Sequence, residues 1–279
     1  MALKHKQKAT RQTPKEKLLK KVHKTGEKKK TRAVHPDSEY AYDQICESWN
    51  ENRQRPFLPV AFFVEEFQKR FPRSVGTLSH AKILDAGCGN ARNAIWLCEK
   101  FPNAGVFCCD ISQGMLKEAS KNIVAACKGH SCILSKSPVE RLAYPAKEFD
   151  AVLSTAVLHH LPSRQSRANA MLEMFRVLKD DGFAFVTVWS NPKEKPGSDR
   201  NVEFPSKNGK KIKRFYHFFS RRELEGFAKK SGFEIAEIFL EAGGKKASLE
   251  NKSKARNLCM VLQKPSGKII RNLQAGRIQ

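Results

Sequence analysis

A chain of 279 residues, 40% of them hydrophobic, is long enough for one large domain or two small ones with a substantial core. Its formal charge is +24, and residues 1–32 hold 13 Lys or Arg against 2 Glu, so the body stays basic without this leading segment and favours an anionic partner such as nucleic acid. No apolar run reaches the roughly 18 residues a membrane span requires, and eight cysteines with no C-x-x-C pair and no secretory signal argue against a disulfide framework or a metal site, reading instead as reduced, mostly buried side chains.

From Met1 to Ala33 the chain is Lys-rich and nearly devoid of aromatic residues, a composition that buries too little apolar surface to offset ordering. A disordered arm over 1–33 is expected. Its "EKKKTR" patch reads as a nuclear-import or RNA-contacting patch or, about as readily, as a solubilising tail, and a cytoplasmic protein, nuclear as well on the first of these, is expected. One domain is expected over 34–266, with a polar insertion over 190–213 and a C-terminal tail over 267–279.

After Tyr40, apolar residues recur at spacings of three and four (Tyr42, Ile45, Trp49, then Val60, Phe63, Val64, Phe67), which predicts two helices joined by "ENRQRPFLP". From Ala81 strands and helices alternate. "KILDAG", "GVFCCD", "SCILS", "FDAVLSTAV" and "GFAFVTVWS" read as strands, "MLKEASKNIVAAC" and "RANAMLEMFRVL" as helices, with "KDDG" as the stop after the second. Continuous apolar strands between amphipathic helices imply a mostly parallel sheet covered on both faces. Beyond the insertion, "RRELEGFAKKSGF" predicts a helix closed by Gly232, and "EIAEIFL" and "NLCMVLQK" an antiparallel hairpin at one sheet edge.

The strand–glycine turn–helix at "ILDAGCGNARNAIWL" is a geometry in which backbone N–H groups and a helix N-terminus face a ligand. A nicotinamide dinucleotide site would place Gly or Ala three residues beyond Gly89, where Arg92 stands, and no Gly-Lys-Ser/Thr follows to make a P-loop. Asp85 would repel a pyrophosphate but suits a ligand with positive charge. Asp110, ending the next strand, is placed to accept two ribose hydroxyls. Together they describe S-adenosylmethionine; a purely structural turn with surface acids is the alternative.

"ILDAGCGNARNAIWL", "CCDISQGMLKEA" and "FDAVLSTAVLHHL" resemble, in that order, the cofactor motifs of class I S-adenosylmethionine-dependent methyltransferases. The resemblance implies a Rossmann-like α/β domain, a seven-stranded sheet with its last strand antiparallel, and a cofactor held by Tyr42, Asp85, Gly87, Gly89, Asp110, Ile111 and Met115. The flanking segments "YDQICESWNENRQRPFLPV", "VLHHLPSRQSR", "RFYHFFSRREL" and "RNLCMVLQK" are similar to tRNA wobble-uridine methyltransferases of the Trm9/ALKBH8 type. That narrower resemblance implies methyl-ester formation on 5-carboxymethyluridine in a tRNA anticodon loop, and a small zinc-binding activator subunit on the sheet edge near Cys132–Leu134. Where the family has an aromatic-Pro pair this chain has Phe57-Leu58, and Ser137-Pro138 stand where many class I enzymes read adenine with an acid.

A carboxylate acceptor is already ionised near neutral pH, with a reference pKa of about 4, so it requires a cation to hold it rather than a general base. Arg53 and Arg214 are the candidates. Tyr216 and His217 are placed to bond or stack on the base, and His159 and His160 to line the pocket, or to act as a base for an N–H or O–H acceptor. Arg164 and Arg167 are candidates for an RNA-facing surface. The competing functions are a methyltransferase acting on ribosomal RNA or a small molecule, and an inactive RNA-binding scaffold with the same fold.

Overall fold

A computed structural model describes residues 36–71, 81–126, 132–249 and 255–266. The Lys-rich arm over 1–33, Cys127 and the whole C-terminal tail over 267–279 lie outside them. In chain order the elements are α1 (Pro36–Asn52), α2 (Val60–Arg70), β1 (Lys82–Ala86), α3 (Arg92–Lys100), β2 (Gly105–Asp110), α4 (Gln113–Ala126), β3 (Cys132–Lys136), β4 (Phe149–Thr155), a single 3-10 turn (Leu158–His160), α5 (Arg164–Val177), β5 (Leu178–Trp189), β6 (Asp199–Pro205), β7 (Lys211–His217), α6 (Arg221–Ser231), β8 (Glu234–Ala242), β9 (Lys245–Ala247) and β10 (Asn257–Gln263).

The main sheet runs β3-β2-β1-β4-β5-β10-β8-β9. The first five strands are parallel and β10 is antiparallel to both neighbours. Successive residues of each strand point to opposite faces. Thus Val152, Ala184, Val186, Leu258 and Met260 join one buried cluster, while Ala151, Leu153, Phe183, Phe185, Cys259 and Val261 join the other. Burial on both faces is why these strands read as unbroken apolar runs. The connections reverse between β1 and β4, and the carboxyl ends of the strands beside this reversal are the place where such sheets bind ligands.

Two expectations, the strand count and the turn at "KDDG", are corrected. The sheet has eight strands, because Gly243 and Gly244, both at positive φ, turn the chain back into the short β9. The two C-terminal strands pair antiparallel as expected, β10 lying between β5 and β8, and only the short β9 lies outside them at that edge. "KDDG" is not a free turn after a helix: β5 begins at Leu178, and the irregularity is absorbed by Asp181 at φ 62 and a shift in register against β4. The polar insertion over 190–213 has regular structure of its own. It forms a separate antiparallel ribbon, β6–β7, whose second strand runs through His217.

Candidate active site

β1 leads into the glycine turn at its carboxyl end. Gly87 sits at φ 82, its N–H donates to the Cys109 carbonyl at 2.8 Å, and a Cβ there would collide with the Val157 side chain. Gly89, at φ 56, has nothing within 4 Å of where its Cβ would lie. The first glycine lets the turn pack; the second leaves a backbone face that a ligand can approach. The Gly89 N–H donates to Asp110 Oδ2 at 2.8 Å and the Ser112 N–H to Oδ1 at 2.9 Å, so the Asp110 carboxylate clamps the β1–α3 turn to the β2–α4 turn. Burial pushes the Asp110 carboxyl up, and these backbone donors pull it back.

Asp85 is fully buried and neither carboxyl oxygen has a partner among the described residues. Burial pushes its carboxyl up to about 8, with Cys132 and then Asp110 adding to the effect. A buried unpaired carboxyl is costly unless something cationic meets it. This orphaned acid, the open face at Gly89 and the remaining lone pairs of Asp110 fit the ammonium, backbone and ribose of S-adenosylmethionine. Met115 is buried and Ile111 half-buried beside this turn. Ser137 does not replace the adenine-reading acid: its hydroxyl donates to the Arg141 carbonyl and accepts from the Ala143 N–H.

A second group assembles from α1, the 3-10 turn and β7. His160 Nδ1 donates to the Phe215 carbonyl at 2.9 Å, which leaves Nε2 to accept from Tyr42 Oη at 2.7 Å. His159 Nδ1 accepts from the Trp189 N–H at 3.1 Å, and its ring stacks on Tyr216 at 5.0 Å. Burial holds His160 down to about 3 and His159 well below the usual imidazole range, so both rings are neutral. Burial likewise raises the Tyr42 and Tyr216 phenols.

Arg214 points inward from β7 and is 6% exposed, surrounded by the rings of Phe204, Tyr216 and Trp49 at 5.0, 5.2 and 5.5 Å. Its Nε and Nη1 have no partner among the described residues. Arg53 is exposed at the end of α1 and reaches the same Trp49 ring at 5.3 Å. Tyr42, His159, His160, Arg214 and Tyr216 therefore form one aromatic-walled cluster, with Arg53 at its rim.

His217 is not part of it. Its ring bonds Asp199 at 2.6 Å through Nδ1 and Glu223 at 2.9 Å through Nε2, tying the ribbon to α6. Strand alternation explains this, since residues 214 and 216 share a face that 217 cannot. Arg167 is also corrected: it is buried and donates to the Leu161 carbonyl at 2.7 Å, while Arg164 is exposed beside Phe227. Trp49, Trp189 and Phe204 line the cluster without having been singled out. A signal existed in Ile212-x-Arg214-x-Tyr216, an alternation that puts a cation on an apolar face. Among the described residues no group of His, Cys, Asp and Glu is arranged to hold a metal ion, and no helix is long and apolar enough to cross a membrane.

A sequence profile for a methyltransferase domain matches residues 83–182. A protein of Encephalitozoon cuniculi named as a methyltransferase is 30% identical over 202 residues, covering 70% of this chain and 85% of that protein. The tRNA (carboxymethyluridine(34)-5-O)-methyltransferase of Arabidopsis thaliana is 32% identical over 153 residues, 55% of this chain and 32% of its own length. The malonyl-[acyl-carrier protein] O-methyltransferase of Geobacter sulfurreducens is 31% identical over 163 residues, 58% of each chain. The chain thus spans most of the first relative but about a third and just over half of the other two. Among solved structures, the CcbJ methyltransferase of Streptomyces caelestis shares the fold, with TM-score 0.64 at 14% identity over 83% of this chain and all of that one. By its motifs, its sheet order and these relatives, the chain belongs to the class I S-adenosylmethionine-dependent methyltransferases, and within them it resembles the Trm9/ALKBH8 type.

Proposed function

We propose that this protein methylates a carboxylate carried on RNA, forming the methyl ester of 5-carboxymethyluridine at the tRNA wobble position. Arg214 carries the reading. A buried guanidinium with two unpartnered nitrogens inside an aromatic box suits an anion that brings its own acceptors, and a planar carboxylate matches it in charge and shape. S-adenosylmethionine, when bound, supplies an electrophilic methyl group. The chain's task is then alignment, because an ionised carboxylate gives up no proton on becoming an ester.

The neutral histidines fit that task. With His160 bonded on both ring nitrogens, and His159 fixed by the Trp189 N–H, they hold the wall formed by Tyr42, Phe215 and Tyr216 rather than move protons. Tyr216 offers a ring edge to a base, and Asp85 and Asp110 hold the cofactor. The names of the Arabidopsis and Geobacter relatives both describe O-methylation of molecules bearing a carboxyl group, one on tRNA and one on a carrier protein. The +24 charge favours the RNA acceptor. The test is incubation with labelled cofactor and matched tRNAs carrying or lacking carboxymethyluridine. Label is expected only on the first; equal labelling of both, or labelling of small metabolites alone, refutes the assignment.

A further inference from the structure

Next to the Arg214 cluster, a cleft of about 1200 Å³ runs between the α1–α2 connection and the ends of β5, β8 and β10. This is above the roughly 300–1,000 Å³ of ordinary small-ligand pockets. Four arginines line it: Arg53, Arg55, Arg92 and Arg256. None of them takes part in an ion pair within 4 Å among the described residues. The acids of the lining are engaged elsewhere. Glu241 is buried and accepts from Asn257 Nδ2 and the Gly244 N–H, each at 2.6 Å, and Glu51 faces Lys207 at 3.8 Å. Three of them are neighbours: Arg92 Nη1 donates to the Arg55 carbonyl at 3.3 Å, and burial followed by the nearby Arg53 charge holds Arg92 down to about 10. Four arginines outside any ion pair, against two acids already engaged, leave the concavity net positive, a potential that a chain of anions can satisfy.

The cleft continues into the reaction cluster through Trp189. This residue lines the cleft, packs its ring edge-on against Tyr216 at 5.0 Å, and donates its backbone N–H to His159 Nδ1. On the opposite wall the Phe57 ring lies 5.6 Å from the Arg92 guanidinium, and Leu58 is 59% exposed. Arginines interleaved with aromatic and apolar faces match single-stranded nucleic acid, whose phosphates need cations and whose splayed bases need flat apolar partners. A folded acidic protein would use the cations and leave the aromatic wall idle.

We propose that this cleft is the track for a single-stranded RNA segment, with Arg55, Arg92 and Arg256 on its phosphates and Trp189 guiding the target base toward Arg214. The proposal rests on the reading of the acceptor as RNA. It is tested on the full chain with a fluorescent anticodon stem-loop, comparing the parent with the exposed pair Arg55→Glu/Arg256→Glu and the milder Arg55→Gln/Arg256→Gln. Both pairs should keep the parent's circular dichroism and cofactor affinity. The charge-reversed pair should bind at least tenfold more weakly, with a salt slope shallower by about 1.4, two single-strand phosphate contacts' worth. Its KM for a carboxymethylated stem-loop should rise by at least the same factor. If the parent transfers methyl to that stem-loop while the variants keep its KM, affinity and slope, the cleft is wrong and the acceptor assignment stands. If the parent transfers methyl to no stem-loop, the assignment itself fails. Tighter binding of an acidic carrier protein than of RNA, lost in the same variants, also overturns the proposal.

Discussion

Asp85 shows how a residue's surroundings set both stability and binding. Its folded pKa of about 8 lies above the unfolded value of about 4, so between these two the folded chain holds a proton that the unfolded chain has lost. Stability therefore falls as pH rises through the unfolded value and levels off above about 8. Asp85→Asn removes the penalty. The variant is expected to melt above the parent at pH 8, with the difference closing toward pH 4, while cofactor affinity falls at least tenfold, about 1.4 kcal/mol. Calorimetry and thermal melts across pH 4–9 check both halves; a lower melting point at pH 8 contradicts the unpaired carboxyl. The sequence made Asp85 and Asp110 conspicuous because each ends an apolar strand. Their different lives were not legible: Asp110 is met by backbone N–H groups supplied by two turns, whereas among the described residues no donor bonds either Asp85 carboxyl oxygen.

At the scale of elements, the ribbon β6–β7 brings Arg214 to the aromatic-walled cluster, and His217 holds that ribbon against α6 through Asp199 and Glu223. His217→Ala is expected to speed proteolysis within residues 191–217 about tenfold, equivalent to ~1.4 kcal/mol of local opening. It should lower turnover and leave cofactor affinity intact. Limited proteolysis beside cofactor titration checks this, and an unchanged cleavage rate contradicts the anchoring role. The parallel core was readable because burial on both faces demands continuous apolar strands. The ribbon was not, because its few apolar residues, such as Phe204, Ile212 and Tyr216, are interspersed with exposed Glu203, Lys211 and Lys213, which gives the composition of a loop.

At the scale of the whole molecule, β3 is one edge strand of the sheet, unpaired on its outer side among the described residues, and Ile133 on it is 49% exposed. An uncovered edge with an apolar side chain invites strand pairing. We propose a small zinc-binding activator subunit there. The chain purified alone is then expected to be weakly active, and co-expression with such a subunit to raise turnover at least tenfold; full activity of the chain alone ends that proposal. The other large-scale feature, the basic charge, suits a polyanionic acceptor, but charge alone does not say which atom receives the methyl group. Arg214 does, if it holds a carboxylate. The direct measurement is alkaline release of labelled methanol from the tRNA product of the parent and of Arg214→Met at matched cofactor occupancy. The parent should yield alkali-labile label, and the variant at least 100-fold less turnover, about 2.7 kcal/mol, with unchanged cofactor affinity. Alkali-stable label, or an Arg214→Met variant as active as the parent, would contradict the account.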